Sequence, residues 1–113
     1  MQVVFESRDA DGAQMRELSV TRVRFALRRL NTWVSRAKVQ FSDVNGPRGG
    51  VDKRCQVEFS TEAAGTVVIA SLARDWRTAL DRALGRATRV LKRSLQRKQK
   101  PTRGRTAKLA LDS

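Results

Sequence analysis

The segment DWRTALDRALGRATRVLKRSLQR, residues 75–97, constrains this chain more than any other. Read at 100° per residue, Trp76, Ala79, Leu80, Ala83, Leu84, Ala87, Val90, Leu91 and Ser94 share one stripe roughly 140° wide. Arg82, Arg86, Arg89 and Arg93 form a second row at i, i+4, i+7 and i+11. A helix this long, roughly 34 Å at 1.5 Å per residue, needs an apolar surface of matching length to cover its stripe. Asp75 and Asp81 lie toward its N-terminus and the cations toward its C-terminus, as the helix dipole favours. Gly85 is the misfit, costing ~1 kcal/mol relative to alanine in a helix interior.

The charge of the chain is concentrated in the same region. Of 24 Lys and Arg residues among 113, 13 fall between residues 74 and 108, accompanied by only 2 of the 11 acidic residues. The net charge is +13. A block of this kind marks a binding surface, a tail or both, and the partner it suits is a polyanion such as nucleic acid.

The same composition closes off other classes. With no histidine, His-dependent triads and His–metal sites are excluded. A single cysteine, Cys55, excludes an internal disulfide and a Cys-based zinc cluster. No apolar run approaches the ~18 residues of a membrane span. The start MQVVFESRD lacks the basic and apolar stretches of a signal peptide, so the expected location is the cytoplasm. The NGPRGG stretch lacks the GK[ST] ending of a P-loop and precedes a strand instead of a helix. Asp43 and Asp52 flank it without forming a convincing acid–base or metal set. No enzyme activity, cofactor, metal or small-molecule substrate is expected.

Upstream of the long helix the pattern alternates between strand and helix. QVVFES (2–7) reads as a strand with Val3 and Phe5 on one face, and RDADG (8–12) as a turn. From Met15 to Leu30 a helical period places Val20, Val23, Ala26, Leu27 and Leu30 on one face, with Arg22 and Arg29 on the opposite flank. RAKVQFSD (36–43) and RCQVEFS (54–60) alternate, a long loop separates them, and VVIASL (67–72) is the last strand, reached through TEAAGT. The expected fold is α+β, in the order β-α-β-β-β-α: a four-stranded sheet with two helices packed on one face. The later strands form a meander and the first joins by a crossover. Residues 1–98 form one domain, and the Pro- and Gly-containing 99–113 a flexible basic tail.

A straight row of guanidinium groups on a rigid helix suits a row of phosphates, because arginine grips phosphate through two parallel charge-assisted bonds. Residues three or four apart on a helix sit about 5–6 Å from each other, close to phosphate spacing along a strand. A merely solvated face would mix signs, whereas here only Asp81 offsets the row. Trp76 and Cys55 read as core. Trp33 either caps the core edge or stacks a base. Phe25, off the core stripe among Arg24, Arg28 and Arg29, either packs at the margin or offers a stacking platform.

The run from Ala73 to Leu84 (ARDWRTALDRAL), the start Met1-Gln2-Val3, and the segment from Ser42 to Cys55 (SDVNGPRGGVDKRC) together resemble the short form of the bacterial ribosome hibernation-promoting factor family, also called ribosome-associated inhibitors. The resemblance covers residues 1 to about 98. Arg77 stands where many members carry an aromatic residue, and Gly85 where a helix former is usual. The resemblance implies the same β-α-β-β-β-α fold. It implies binding to the small ribosomal subunit between head and body, over the mRNA path and the tRNA positions, and inhibition of translation under stress. It also implies contact of Arg82, Arg86, Arg89, Lys92 and Arg93, and of Arg22 and Arg29 on the first helix, with 16S rRNA backbone. No C-terminal dimerisation domain is present in these residues, so the free protein is expected to be a monomer. The alternative is a stand-alone double-stranded RNA-binding module, whose α-β-β-β-α order lacks the first strand. An anionic-membrane binder fares worse, because the basic helix needs its apolar stripe for the core.

Overall fold

Strict alternation in the middle of the chain builds the sheet. In the computed structural model, which describes residues 1–44 and 52–99, β2 (Val34–Asp43) and β3 (Lys53–Thr61) pair antiparallel with Phe41 opposite Cys55, Val39 opposite Val57 and Ala37 opposite Phe59. All six are fully buried and point to one face. β4 (Thr66–Ala73) continues the meander antiparallel to β3, after a turn in which Gly65 takes a φ of +72°, a conformation open to glycine at no steric cost. β1 (Gln2–Ser7) pairs parallel with β2, placing Phe5 beside Val39, and the sheet order is β1-β2-β3-β4.

A parallel pair requires a crossover, and two helices make it. The turn expected at 8–12 winds instead into a short helix, α1 (Ala10–Ala13), because the Asp9 carboxylate accepts a bond of 2.8 Å from the Asp11 N–H and caps it. Gly12 sits so close to the sheet that a Cβ there would fall 2.5 Å from Ser7 Oγ and 3.3 Å from Phe41. α2 (Arg16–Ala26) follows and packs against β1, with Val23 fully buried. It ends four residues short of the expected Leu30. Tighter i→i+3 bonds take over, from Arg28 N–H to Phe25 O, Leu30 N–H to Leu27 O and Trp33 N–H to Leu30 O. Leu27 is still buried, but Arg29 belongs to this turn segment and not to the helix.

α3 (Trp76–Gln99) lies across β3 and β4 on the same face. Its buried residues follow the expected stripe except at the C-terminal end: Leu95 is buried, whereas Val90 is 37% exposed and Ser94 only half-buried. The stripe thus drifts around the helix toward Leu91 and Leu95 in the last turns. The helix passes the expected boundary at 98 to reach Gln99; the rest of the expected tail, and the loop residues 45–51, lie outside the described residues. The architecture is α+β, a four-stranded mixed sheet with helices packed against it, in the order β-α-α-β-β-β-α.

The aromatic centre of the core ties three elements together. Phe41 of β2 meets Phe5 of β1 edge to face, with ring centroids 5.3 Å apart at 82°. Its other contact is Trp76 at the start of α3, stacked at 4.9 Å and 16°. Cys55 is sealed nearby, and burial pushes its thiol up to about 12, which leaves almost no thiolate near neutrality. Truncation of Phe41 to alanine is expected to cost ~3–5 kcal/mol, the range for a large buried aromatic. A urea titration followed by far-UV circular dichroism measures it, with Phe41→Leu expected to cost distinctly less.

Candidate nucleic-acid interface

The start of α3 is fixed by Asp75. Its carboxylate accepts the Thr78 backbone N–H at 2.7 Å and the Thr78 hydroxyl at 3.0 Å. These bonds hold its carboxyl below the ordinary value of 3.8. With the buried stripe turned to the sheet, Arg82, Arg86, Arg89, Lys92 and Arg93 are all exposed on the outer side of the helix. Among the described residues, none of the five has a carboxylate within 4.0 Å. The ion pairs of the fold lie elsewhere. Lys38 meets Glu6, and Lys53 lies 2.8 Å from Asp43 and 3.4 Å from the buried Asp52. The hydrogen bond to Asp43 raises the Lys53 ammonium above its ordinary 10.5, and the two aspartates flanking the loop therefore share an internal counterion. No group of three or more metal-ligating side chains occurs among the described residues.

The arginine row does not stop at the helix. Arg82 Nη1 leans over the sheet edge to within 3.4 Å of the Leu72 carbonyl of β4. Arg54, on the open face of β3, is held by a bond of 3.0 Å from its Nη2 to Gln56 Oε1. Arg54, Arg82 and Arg86 line one concavity of about 500 Å³ floored by Ala70, Ser71 and Leu72. Sequence reasoning missed Arg54. Its signal was present, because alternation with the inward Cys55 and Val57 turns it to the open face. The basic surface accordingly rounds the β4 edge from the helix side to the open side of the sheet.

On the α2 side the two arginines expected on the first helix part company. Arg22 Nη1 and Asp81 Oδ1 are 2.8 Å apart, so Arg22 is neutralised within the fold. Both side chains are partly exposed, and such a surface pair is worth roughly 0.2–1 kcal/mol, little enough for an incoming phosphate to displace the carboxylate. Arg29 is exposed in the turns beyond α2, so of the two arginines assigned to the first helix only Arg22 lies on it. Phe25 does not pack at the margin; it is 66% exposed. The Arg28 guanidinium sits 4.1 Å above its ring. Trp33 is half exposed beside Thr32, Ser35 and Glu62 at the far end of the sheet. No helix among the described residues is long and apolar enough to cross a membrane.

This geometry has close counterparts among solved structures. The chain superposes on the N-terminal domain of Thermus thermophilus protein Y with a TM-score of 0.59 and 23% identity, covering 82% of this chain and 98% of that one. It superposes on a ribosomal subunit interface protein from Coxiella burnetii with a TM-score of 0.64 and 15% identity, covering 82% and 96%. No protein-family model and no curated protein matches the sequence. At these identities the likeness establishes a shared fold.

Asp75 gives the pH test of the helix start. Its folded-state pKa is depressed, so its contribution is present above the unfolded value of 3.8 and is lost as pH falls through the folded value. Asp75→Ala is expected to melt at a lower temperature than wild type at pH 7. The gap should close well below pH 3.8 in thermal scans followed by circular dichroism.

Proposed function

We propose that this chain is a non-enzymatic, cytoplasmic ribosome-binding protein of the short hibernation-promoting type. It would occupy the small subunit between head and body, hold 16S rRNA backbone with the outer face of α3, and shut out mRNA and tRNA under stress. The observation that carries the reading is a ridge of arginines with no carboxylate within 4.0 Å among the described residues, displayed on a fold shared with a ribosomal subunit interface protein. Of the residues that carry that resemblance, Trp76 to Leu84 open α3, Gln2 and Val3 lie on β1, and the described parts of 42–55 lie mainly on β2 and β3.

Like charges spaced at i, i+4 and i+7 destabilise a free helix. Phosphates relieve that repulsion and take two donors from each guanidinium. Arg82, Arg86, Arg89, Lys92 and Arg93 supply the main row. Arg22 joins it once its pairing with Asp81 yields, and Arg29 offers a further exposed cation from the turns after α2. Arg54 extends it beyond the sheet edge. Phosphate contacts give affinity without sequence information, and specificity then comes from the fit of a rigid wedge to a preformed RNA channel. The first strand supports this reading over a double-stranded RNA-binding module. β1 contributes Phe5 to the aromatic centre, so the domain is built around an element such modules lack.

The double variant Arg86→Glu/Arg89→Glu is expected to keep the fold and to lose co-sedimentation with purified small subunits. Retention of the variant in the ribosomal pellet would refute the helix-face assignment. Wild-type affinity should fall steeply with salt, log K dropping by ~0.7–0.9 per phosphate contact for each decade of salt. Arg54→Gln tests the extension around β4. It should weaken small-subunit binding modestly and reduce that salt slope by about 1, and an unchanged slope would confine the interface to the helices.

A further inference from the structure

Gly85 has no internal reason to be a glycine. It sits in the middle of α3, where it costs ~1 kcal/mol against alanine. A Cβ at this position would meet nothing nearer than Arg89 Nη1 at 3.8 Å. The position opens instead onto a cleft of about 310 Å³ between α2 and α3, walled by Phe25 and Ala26 on one side and Leu84 and Thr88 on the other. The Thr88 hydroxyl is turned back onto the Leu84 carbonyl at 2.7 Å, which leaves the cleft largely apolar. Arg28 braces the exposed Phe25, donating at 2.8 Å to the Phe25 carbonyl while its guanidinium covers the ring. The Arg22–Asp81 pair lines the same cleft.

We propose that this cleft receives one unstacked RNA base, stacked on Phe25 over the opening that Gly85 leaves. The inference rests on the RNA-binding reading and adds to it a subsite that reads bases instead of phosphates. An aromatic ring braced by a guanidinium is the platform on which single-stranded bases stack. Arg22 offers donors and Asp81 an acceptor to the polar edge of the base. Arg28 and Arg89 stand near the phosphates on either side of it. An apolar peptide side chain would fit the slot, but the cationic rim suits a nucleotide.

The test compares a short single-stranded adenine oligoribonucleotide with its abasic counterpart, which carries the same phosphates. The wild-type chain is expected to prefer the base-bearing oligomer about tenfold. Phe25→Ala and Gly85→Leu should bring the two oligomers to parity, while Phe25→Trp keeps the preference. Phe25 is exposed and leucine favours the helix, so both disruptive variants should fold, and abasic binding should be unaltered in each. Equal retention of the two oligomers by wild type overturns the proposal, as does a preference that survives both Phe25→Ala and Gly85→Leu. The wider reading fails with a different signature: wild type then holds neither oligomer and does not sediment with small subunits, and the cleft proposal falls with it.

Discussion

Burial of one stripe of α3 against β3 and β4 governs the rest of the molecule. The stripe and the arginine row share one rigid helix, so seating Ala79, Leu80, Ala83, Ala87 and Leu91 on the sheet turns every cation of the row outward. Small residues at 79, 83 and 87 let the helix lie close to the strands. Trp76 then anchors its first turn on Phe41, whose other neighbour is the parallel strand β1. The position of the basic surface is therefore decided by hydrophobic packing, and the charges follow.

The strands were legible because period-two alternation is a local signal. The buried residues of β2 and β3 can be picked out of RAKVQFSD and RCQVEFS without knowing their partners. The long helix was equally plain, since its stripe repeats for more than five turns. The errors have physical causes. A four-residue helix such as α1 has no periodicity to detect and depends on the single capping side chain of Asp9. The early end of α2 is a tertiary effect: Leu27, still bonded to Val23 as in an α-helix, is the last residue before β2 fully seated in the core, and tighter turns then carry the chain toward β2. The loss of Val90 and Ser94 from the buried stripe and the entry of Leu95 reflect a drift of that stripe that a fixed 100° wheel does not include.

The site was partly legible for the same reason. Exposure of Arg82, Arg86, Arg89, Lys92 and Arg93 follows from the wheel alone. The pairing of Arg22 with Asp81, 59 positions apart, and the convergence of Arg54 with Arg82 and Arg86 depend on which helix lies beside which strand. Those facts belong to the tertiary arrangement and leave no trace in spacing. Within it the cations divide into two populations. Lys38, Lys53 and Arg22 each have a carboxylate partner within the fold, whereas the outer row of α3 has none among the described residues.

The sealed position of Cys55 has a practical corollary. A sulfhydryl held in its neutral form behind the sheet does not compete for maleimide or iodoacetamide reagents while the domain is folded. A cysteine introduced on an outer turn of α3 would then be the single labelling point of the native chain. A fluorophore or spin label placed there would report, from one defined spot, any approach of an added macromolecule to that helix.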